Sequence, residues 1–216
     1  RNGLFTSLSD LVERSGLGQS DLKTLAKAGA LQSFCADRRQ ALWQVLSLLR
    51  PKRSLPLIEA LTGASELCEE AVLLPSMSEL EQVVADYRTM QLSTGPHPMS
   101  FYRVWARKKG IHSCIGLHAI EDGEDVQVAG SVICRQRPST AKGFVFLTIE
   151  DETGMANVIV KPKLFEAYNQ IIVNSSFLKV DGLLQIEEGV VNVIARHFES
   201  LPPISEELYV PTRNFH

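Results

Sequence analysis

Apolar residues in the first part of the chain recur three and four positions apart, which is the spacing of amphipathic helices. Ser9 or Asp10 is predicted to cap a short helix that ends at Gly16. Ser20 is predicted to cap a second helix that ends at Gly29. Two short helices joined by a Gly-Leu-Gly turn indicate a helical hairpin.

The helical pattern continues through the segments DRRQALWQVLSLLR and PSMSELEQVVADYRTM. Residues 1–92 are therefore predicted to form a helical helix-hairpin-helix domain. Pro96 and Pro98 then hold the chain extended, because a residue that precedes proline avoids the helical region. This HPM segment and one short helix make up a predicted linker at residues 93–124.

The pattern changes to a period of two at about residue 125, where five apolar segments are separated by turn residues. One helix, over about residues 162–172, lies between the third and fourth segments. Three strands, a helix and two strands are the order of an OB-fold, whose second and third strands commonly bind oligonucleotides. We predict an α+β protein with a five-stranded OB-fold β-barrel at residues 125–201 and a tail at residues 202–216.

The second predicted strand, GFVFLTIED, is apolar on both faces, which a single core does not explain. Phe144 and Phe146 share the outer face, and Asn157 and Lys161 join them from the third strand. Stacking of a base on an exposed aromatic ring contributes about 1–3 kcal/mol. The alternative is that the chain's own helices or tail cover the two rings.

Cations follow the first predicted strand, at Arg135, Arg137 and Lys142, with no acidic residue between Val126 and Ile149. The whole chain has 22 Lys and Arg against 25 Asp and Glu, for a net charge of −3. This balance excludes a polycation that coats nucleic acid indiscriminately, so phosphate contacts must come from local patches such as this one.

The hairpin offers a second phosphate site. Gly16 and Gly18 flank Leu17 and allow close approach of the backbone, and the following helix presents free N–H groups with Lys23 nearby. The alternative is an ordinary tight turn between two helices.

No catalytic or metal-binding constellation is predicted. The four cysteines are widely spaced and indicate reduced thiols, and His112, Cys114 and His118 lack a fourth ligand. The carboxylates of residues 150–152 are better explained as turn residues. No apolar run has the length of a membrane span, so we predict a cytoplasmic protein without membrane contact.

Three segments in order resemble a known family: FTSLSDLVERSGLGQSDLKTLAKAGALQSFCADRRQALWQV, LPSMSELEQVVADYRTMQLSTGPHPM and VQVAGSVICRQRPSTAKGFVFLTIEDETGMANVIVKPKLFEAY. They are similar to the C-terminal part of bacterial C-family DNA polymerases, the polymerase III alpha subunit and its relatives. The ending TRNFH resembles the error-prone, ImuC-type branch.

The resemblance implies that this chain is a fragment of a DNA-directed DNA polymerase that acts in translesion synthesis, DNA repair and damage-induced mutagenesis. The palm aspartates that hold Mg²⁺ are absent, so the fragment is expected to be inactive alone and to hold no cofactor. It would position single-stranded template on the barrel and duplex on the hairpin. Direct sliding-clamp binding is not expected, because Gln19 to Leu22, the one loosely similar peptide, lies at a helix start.

Two other interpretations remain open. The chain could be a protein-interaction platform that docks onto other mutasome proteins through the OB face or the tail. The barrel is also similar to the anticodon-binding domain of aspartyl-type tRNA synthetases, where an aromatic at the position of Phe146 stacks on a base and an amide at the position of Asn157 reads one. RNA binding by a stand-alone OB protein would leave residues 1–110 unexplained.

Overall fold

The computed structural model describes residues 3–49, 74–202, 210 and 212–215. The chain divides into two compact units, residues 1–78 and 79–216. The helix that follows residue 78, which the sequence pattern groups with the first domain, falls within the second unit. Residues 203–209, 211 and 216, which are more than half of the predicted tail, lie outside the described part.

The first unit contains helices α1 (Leu8–Ser15), α2 (Gln19–Lys27) and α3 (Arg38–Leu48). Helix α1 begins earlier than predicted, since the side chain of Ser7, not that of Ser9 or Asp10, accepts a hydrogen bond from the Asp10 N–H at 3.1 Å. The helices share a buried core of Leu8, Leu11, Leu22, Ala26, Leu31, Cys35, Ala41 and Val45.

The second unit begins with helix α4 (Glu79–Met90). A 3-10 turn at Pro98–Tyr102 leads into helix α5 (Arg103–Lys108), and a further 3-10 turn spans Ile115–Ala119. This segment packs on the outside of the barrel through a buried cluster of Met99, Tyr102, Ala106, Ile111, Ala129, Phe177, Leu201 and Val210. The HPM segment is therefore part of the folded second unit.

Five strands form the predicted barrel: β1 (Asp125–Gln136), β2 (Val145–Asp151), β3 (Gly154–Val160), β4 (Phe177–Glu187) and β5 (Val190–Ser200). Strand β1 pairs with both β4 and β2, and the parallel pairing of β3 with β5 closes the barrel. Helix α6 (Pro162–Asn174) lies between β3 and β4 in sequence. The predicted α+β class and OB-fold are confirmed.

Alternate residues of the strands fill the barrel interior, as the period of two predicts. The register of β4 against β5 shifts between Asp181 and Gly182, and there a Cβ on Gly182 would lie 2.5 Å from the Ile194 carbonyl oxygen. Only glycine permits that approach. The fully buried side chains of the interior include Val128, Val132, Leu147, Ile149, Val158, Val160, Ile172, Leu184, Val193 and Phe198.

A sixth strand, β6 (Arg213–Phe215), is not predicted by the sequence pattern. It pairs in parallel with Cys134–Gln136 of β1, beyond the point where β4 stops pairing at Ser131. The Thr212 hydroxyl donates to the Val132 carbonyl oxygen at 2.6 Å. The last described residues therefore extend the sheet. Among all described helices, none is long and apolar enough to span a bilayer.

Candidate nucleic-acid interface

The outer faces of β2 and β3 carry the side chains that the alternation predicts. Phe146 pairs with Ile159 and Thr148 pairs with Asn157, and these four residues are half-buried or exposed. Phe146 has no ring-stacking or cation contact within the described part of the chain. Phe144 is also half-buried, just before β2. Neither ring is enclosed, so both can be reached from solvent.

Cations flank one end of this face. Lys161 is exposed directly after β3, and Lys142 is exposed in the β1–β2 loop, where it adopts a left-handed conformation with φ of 50°. The guanidinium of Arg137 is exposed and stacks over the ring of Phe165 on α6 at 5.1 Å. Stacking on a ring leaves the edge of a guanidinium available for a phosphate. These three cations form a basic rim beside the aromatic face.

Arg135 differs from the other predicted cations because its N–H groups donate hydrogen bonds to acceptors of the protein itself. Its Nε donates to the Ile172 carbonyl oxygen at 2.7 Å and its Nη2 to that of Ser175 at 2.6 Å. Its Nη1 lies 3.4 Å from Asn214 Oδ1 of β6. Arg135 thus ties the end of α6 and β6 to β1. A phosphate contact by Arg135 stays a prediction.

A buried carboxylate fixes the β2–β3 turn that aligns the face. Asp151 accepts hydrogen bonds from Thr153 N at 2.7 Å, Thr153 Oγ1 at 2.5 Å and Gly154 N at 3.2 Å, the turn role expected from the sequence. It also accepts from Cys114 N at 2.8 Å and from Arg103 Nη2 at 2.7 Å. Arg103 pairs in addition with Glu152. These long-range contacts tie the turn to the segment of residues 103–114.

Two opposing effects act on the pKa of Asp151. Burial alone would raise the pKa of this carboxyl group, but hydrogen bonds from Thr153 and Cys114 and the charge of Arg103 hold the pKa below its ordinary value. Asp151 is therefore ionised at neutral pH. The same surroundings act on Cys114, where burial and then the charge of Asp151 raise the pKa of the thiol to about 12. This thiol is not a nucleophile at neutral pH.

His97 lies at the edge of the same face. Its Nδ1 accepts from the Met99 N–H at 3.1 Å, and its Nε2 lies 3.8 Å from a carboxylate oxygen of Glu150. Burial lowers the pKa of His97 below its ordinary value, and the charge of Glu150 opposes that shift only in part. The imidazole is therefore neutral at pH 7 and serves as the acceptor that starts the 3-10 turn.

The hairpin has the turn that the glycines predict, but α2 begins at Gln19, with Gly18 and not the predicted Ser20 at its N-cap. Gly16 ends α1 with φ of 66°, Gly18 precedes α2 in an extended conformation, and Leu17 is 37% exposed. Lys23 is half-buried on α2. One feature was not foreseen: the Asp21 carboxylate accepts a hydrogen bond from the Gly18 N–H at 3.3 Å, which places a negative charge at the start of α2. The hairpin lies in the first unit and the barrel in the second, so we treat them as separate sites.

No group of three or more His, Cys, Asp or Glu side chains within residues 3–49, 74–202 and 210–215, as far as these are described, is arranged to hold a metal ion.

Two family models match this chain. Residues 126–201 match an OB-fold nucleic acid binding domain, and residues 1–41 match a helix-hairpin-helix motif. Both matches coincide with the elements described above. Among solved structures, asparaginyl-tRNA synthetase from Pyrococcus horikoshii is similar with a TM-score of 0.38 and 23% identity over 44% of this chain and 24% of that chain. A similarity of that size carries no argument about function.

Curated relatives match almost the whole chain. "Error-prone DNA polymerase 1" of Rhizobium meliloti (strain 1021) is 44% identical over 98% of this chain and 19% of that protein. "Error-prone DNA polymerase" of Rhodopirellula baltica (strain DSM 10527 / NCIMB 13988 / SH1) is 40% identical over 99% of this chain and 18% of that protein. "Error-prone DNA polymerase" of Pseudomonas fluorescens (strain Pf0-1) is 38% identical over 99% of this chain and 20% of that protein. The chain thus spans about a fifth of the length of these relatives. The resemblance drawn from the sequence is confirmed: this chain is homologous to one segment of the error-prone DNA polymerases, and its helix-hairpin-helix motif and OB-fold fit a C-terminal region of such a protein.

Proposed function

We propose that this chain is a DNA-binding module of an error-prone, translesion DNA polymerase. The barrel holds single-stranded template and the hairpin holds duplex, so that both are positioned for catalytic domains elsewhere in the parent protein. The observation that carries this proposal is the accessible ring of Phe146 next to Asn157 and Lys161 on an OB-fold, with Lys142 and Arg137 at the rim. The names of the relatives supply the expectation that the nucleic acid is DNA.

The face predicts weak and salt-sensitive binding. One ring that stacks on a base contributes about 1–3 kcal/mol, which corresponds to roughly 5- to 150-fold in affinity. Three rim cations that each neutralise one phosphate of a single strand give a slope of about −2 for log affinity against log salt. The net charge of −3 of the whole chain adds no attraction of its own.

Fluorescence anisotropy of a labelled single-stranded oligonucleotide tests the proposal. Phe146→Ala is expected to weaken binding at least fivefold, about the lower limit for one stacked base, whereas Phe146→Trp keeps the stacking surface and the affinity. Replacing Lys142 and Lys161 together by Gln is expected to reduce the salt slope by about 1.4.

The matched control is Lys108→Gln combined with Lys109→Gln, which removes the same two charges from exposed positions at the end of α5. Equal losses for the control and the rim lysines would show a general charge effect, and an unchanged affinity for Phe146→Ala would refute stacking at this face. The thermal midpoint of each variant establishes that the fold is retained.

We infer that catalysis takes place outside the described residues. Nucleotidyl transfer by two metal ions requires clustered carboxylates, and no group of three or more His, Cys, Asp or Glu side chains in the described part of the chain is arranged for a metal ion. We infer that the Mg²⁺ site and the polymerase activity belong to other parts of the parent protein. This chain added alone to a primed template is expected to incorporate no nucleotide.

A second candidate function is docking onto other mutasome proteins. The end of the face opposite to the basic rim favours it, because Met155 is 62% exposed and Val190 is 50% exposed while Glu150 and Glu187, their cross-strand partners, are acidic. Apolar and acidic side chains together suit a protein surface better than a phosphate backbone. Replacing Met155 and Val190 by Ser is expected to abolish pull-down of a mutasome partner and to leave DNA affinity unchanged. An unchanged pull-down together with a reduced DNA affinity would exclude docking through this end of the face.

A further inference from the structure

The strand register sets the outer side chains of the barrel in rows that run across four strands. One row is apolar and the next is polar and uncharged. The apolar row comprises Phe146, Ile159, Ile194 and Leu183 of β2, β3, β5 and β4. The polar row comprises Thr148, Asn157, Asn192 and Gln185 of the same strands. The surface that the sequence placed on β2 and β3 thus continues onto β5 and β4.

Burial confirms that both rows face outward. Every member is half-buried or exposed, whereas Val158 and Val193, the paired residues between the rows on β3 and β5, have no exposed surface. Successive rows on one face lie about 7 Å apart, two residues along the strand. A base that lies on the apolar row therefore directs its edge towards the polar row.

The central amides of the polar row are available to a ligand. Within the described part of the chain, the side chains of Thr148, Asn157 and Asn192 make no hydrogen bond to protein. Asn157 and Asn192 are direct neighbours in the parallel ladder of β3 and β5. Two adjacent carboxamides offer four N–H donors and two acceptor oxygens at one place on the sheet.

Charges on either side of the rows fix the orientation of a bound strand. Lys161 lies two residues from Ile159 on the apolar side, together with the rim cation Lys142. Glu150 lies two residues from Thr148 on the polar side. Phosphates are attracted to the lysines and repelled by the carboxylate, so the backbone runs along the lysine side and the base edges point at the amides.

We propose that Asn192 of β5, together with Asn157 of β3, reads base edges of the single strand that the barrel binds, which makes the affinity depend on the base. This inference rests on the proposed function. An asparagine amide pairs with two neighbouring atoms of adenine, an acceptor and an amino donor. Edges that are paired in a duplex are open in a single strand. Adenine offers such a pair on two edges, N7 with N6 and N1 with N6, whereas cytosine offers one, so adenine is the expected preferred base.

Anisotropy with short labelled homopolymers of dA, dC and dT measures the preference. The chain is expected to bind dA more tightly than dT by about fivefold, the lower end of the discrimination that amide pairing gives. In the double variant Asn157→Ala, Asn192→Ala this ratio falls towards that of stacking alone. Asn192→Asp, which only accepts hydrogen bonds, is expected to raise the affinity for dC relative to dA, because a carboxylate accepts from the cytosine amino group.

The matched control is Asn169→Ala, an exposed amide on α6 outside both rows, which leaves the ratio unchanged. The inference is overturned if the dA to dT ratio of the double variant equals that of the unaltered chain, or if Asn192→Asp leaves the order of bases unchanged.

Failure of the proposed function has a different signature. If Phe146→Ala leaves binding of every homopolymer unchanged, stacking at this face is excluded altogether. If Phe146→Ala weakens all homopolymers and the asparagine variants change no ratio, the module still binds DNA and only the reading of bases is excluded.

Discussion

The buried ion pair of Asp151 with Arg103 gives a quantitative prediction for stability. The Asp151 side chain has no exposed surface and receives hydrogen bonds from both the β2–β3 turn and Cys114 N. Asp151→Ala removes the carboxylate and leaves the Cys114 N–H and one N–H of the Arg103 guanidinium without their acceptor. Because the acceptor joins segments far apart in sequence, the loss is not local.

The magnitude follows from the partners that remain. Removing one member of a buried ion pair costs about 3–5 kcal/mol, and Glu152 still pairs with Arg103, so we expect about 3 kcal/mol. Asp151→Asn keeps an acceptor oxygen without the charge and is expected to cost about half as much, in line with a lost charged hydrogen bond. Glu152→Gln, at a partly exposed position, is expected to cost about 1 kcal/mol or less.

Urea unfolding followed by Trp105 fluorescence measures these differences. Trp43 lies on α3 of the first unit, so Trp43→Phe in every protein leaves a reporter of the second unit alone. A loss of about 3 kcal/mol lowers the midpoint by about 1.5 M if the denaturant slope is about 2 kcal/mol per M. Equal urea midpoints for Asp151→Ala and Glu152→Gln would refute the conclusion that the buried Asp151 carboxylate stabilises the fold more than the partly exposed ion pair of Glu152.

The pH dependence supplies an independent check. Since the pKa of Asp151 is lower in the folded protein than in the unfolded chain, its stabilising effect is complete above the unfolded value of about 4 and is lost as the pH falls towards the folded value. The stability gap between the unaltered chain and Asp151→Asn is therefore expected to narrow below about pH 4. A gap that stays constant into that range would contradict the assigned ionisation.

Two further predictions follow. Because burial lowers the pKa of His97 in the folded protein, the stability should fall as the pH drops below the unfolded pKa of about 6.5. In His97→Asn, whose side-chain oxygen can accept from Met99 N, the thermal midpoint is expected to change less between about pH 7 and pH 5. An unchanged pH dependence of the midpoint would exclude His97 as the cause. Asp21→Asn keeps an acceptor for the Gly18 N–H and removes a negative charge from the start of α2. This variant should strengthen duplex binding about two- to fivefold at low salt. An equal gain in duplex affinity from Glu13→Gln on α1 would indicate a net-charge effect instead.

Local patterns were sufficient to predict the barrel and its outward face. Alternation alone predicts that Phe146 and Asn157 lie on the outer face while their neighbours Leu147 and Val158 lie in the barrel interior. Successive side chains of a strand point to opposite faces, so no other arrangement is possible once one residue is assigned. The helix between β3 and β4 and the turns at glycines are likewise local features. The starting residue of α1 was missed, since Ser7, Ser9 and Asp10 are all competent caps and only the tertiary fold selects among them.

Contacts between distant segments could not be predicted in the same way. The neighbours Asn157 and Asn192 are brought together by the parallel pairing of β3 with β5, which no local pattern specifies. Arg135 was expected among phosphate ligands, and its sequence neighbourhood gives no sign that its donors reach Ile172 and Ser175. A cation near the end of a strand has the same appearance in sequence whether its partner is a solvent anion or a carbonyl group of the same protein.

The pairing of β6 with β1 has a consequence for how the chain behaves when it is shortened. Three residues, Arg213–Phe215, pair with one edge of Cys134–Gln136, whose other edge pairs with β2. Without them that stretch of β1 would present unpaired N–H and C=O groups, which form a template for strands of other molecules. Chains cut before Thr212 are therefore expected to self-associate in a concentration-dependent way, even though every residue of the barrel interior is still present.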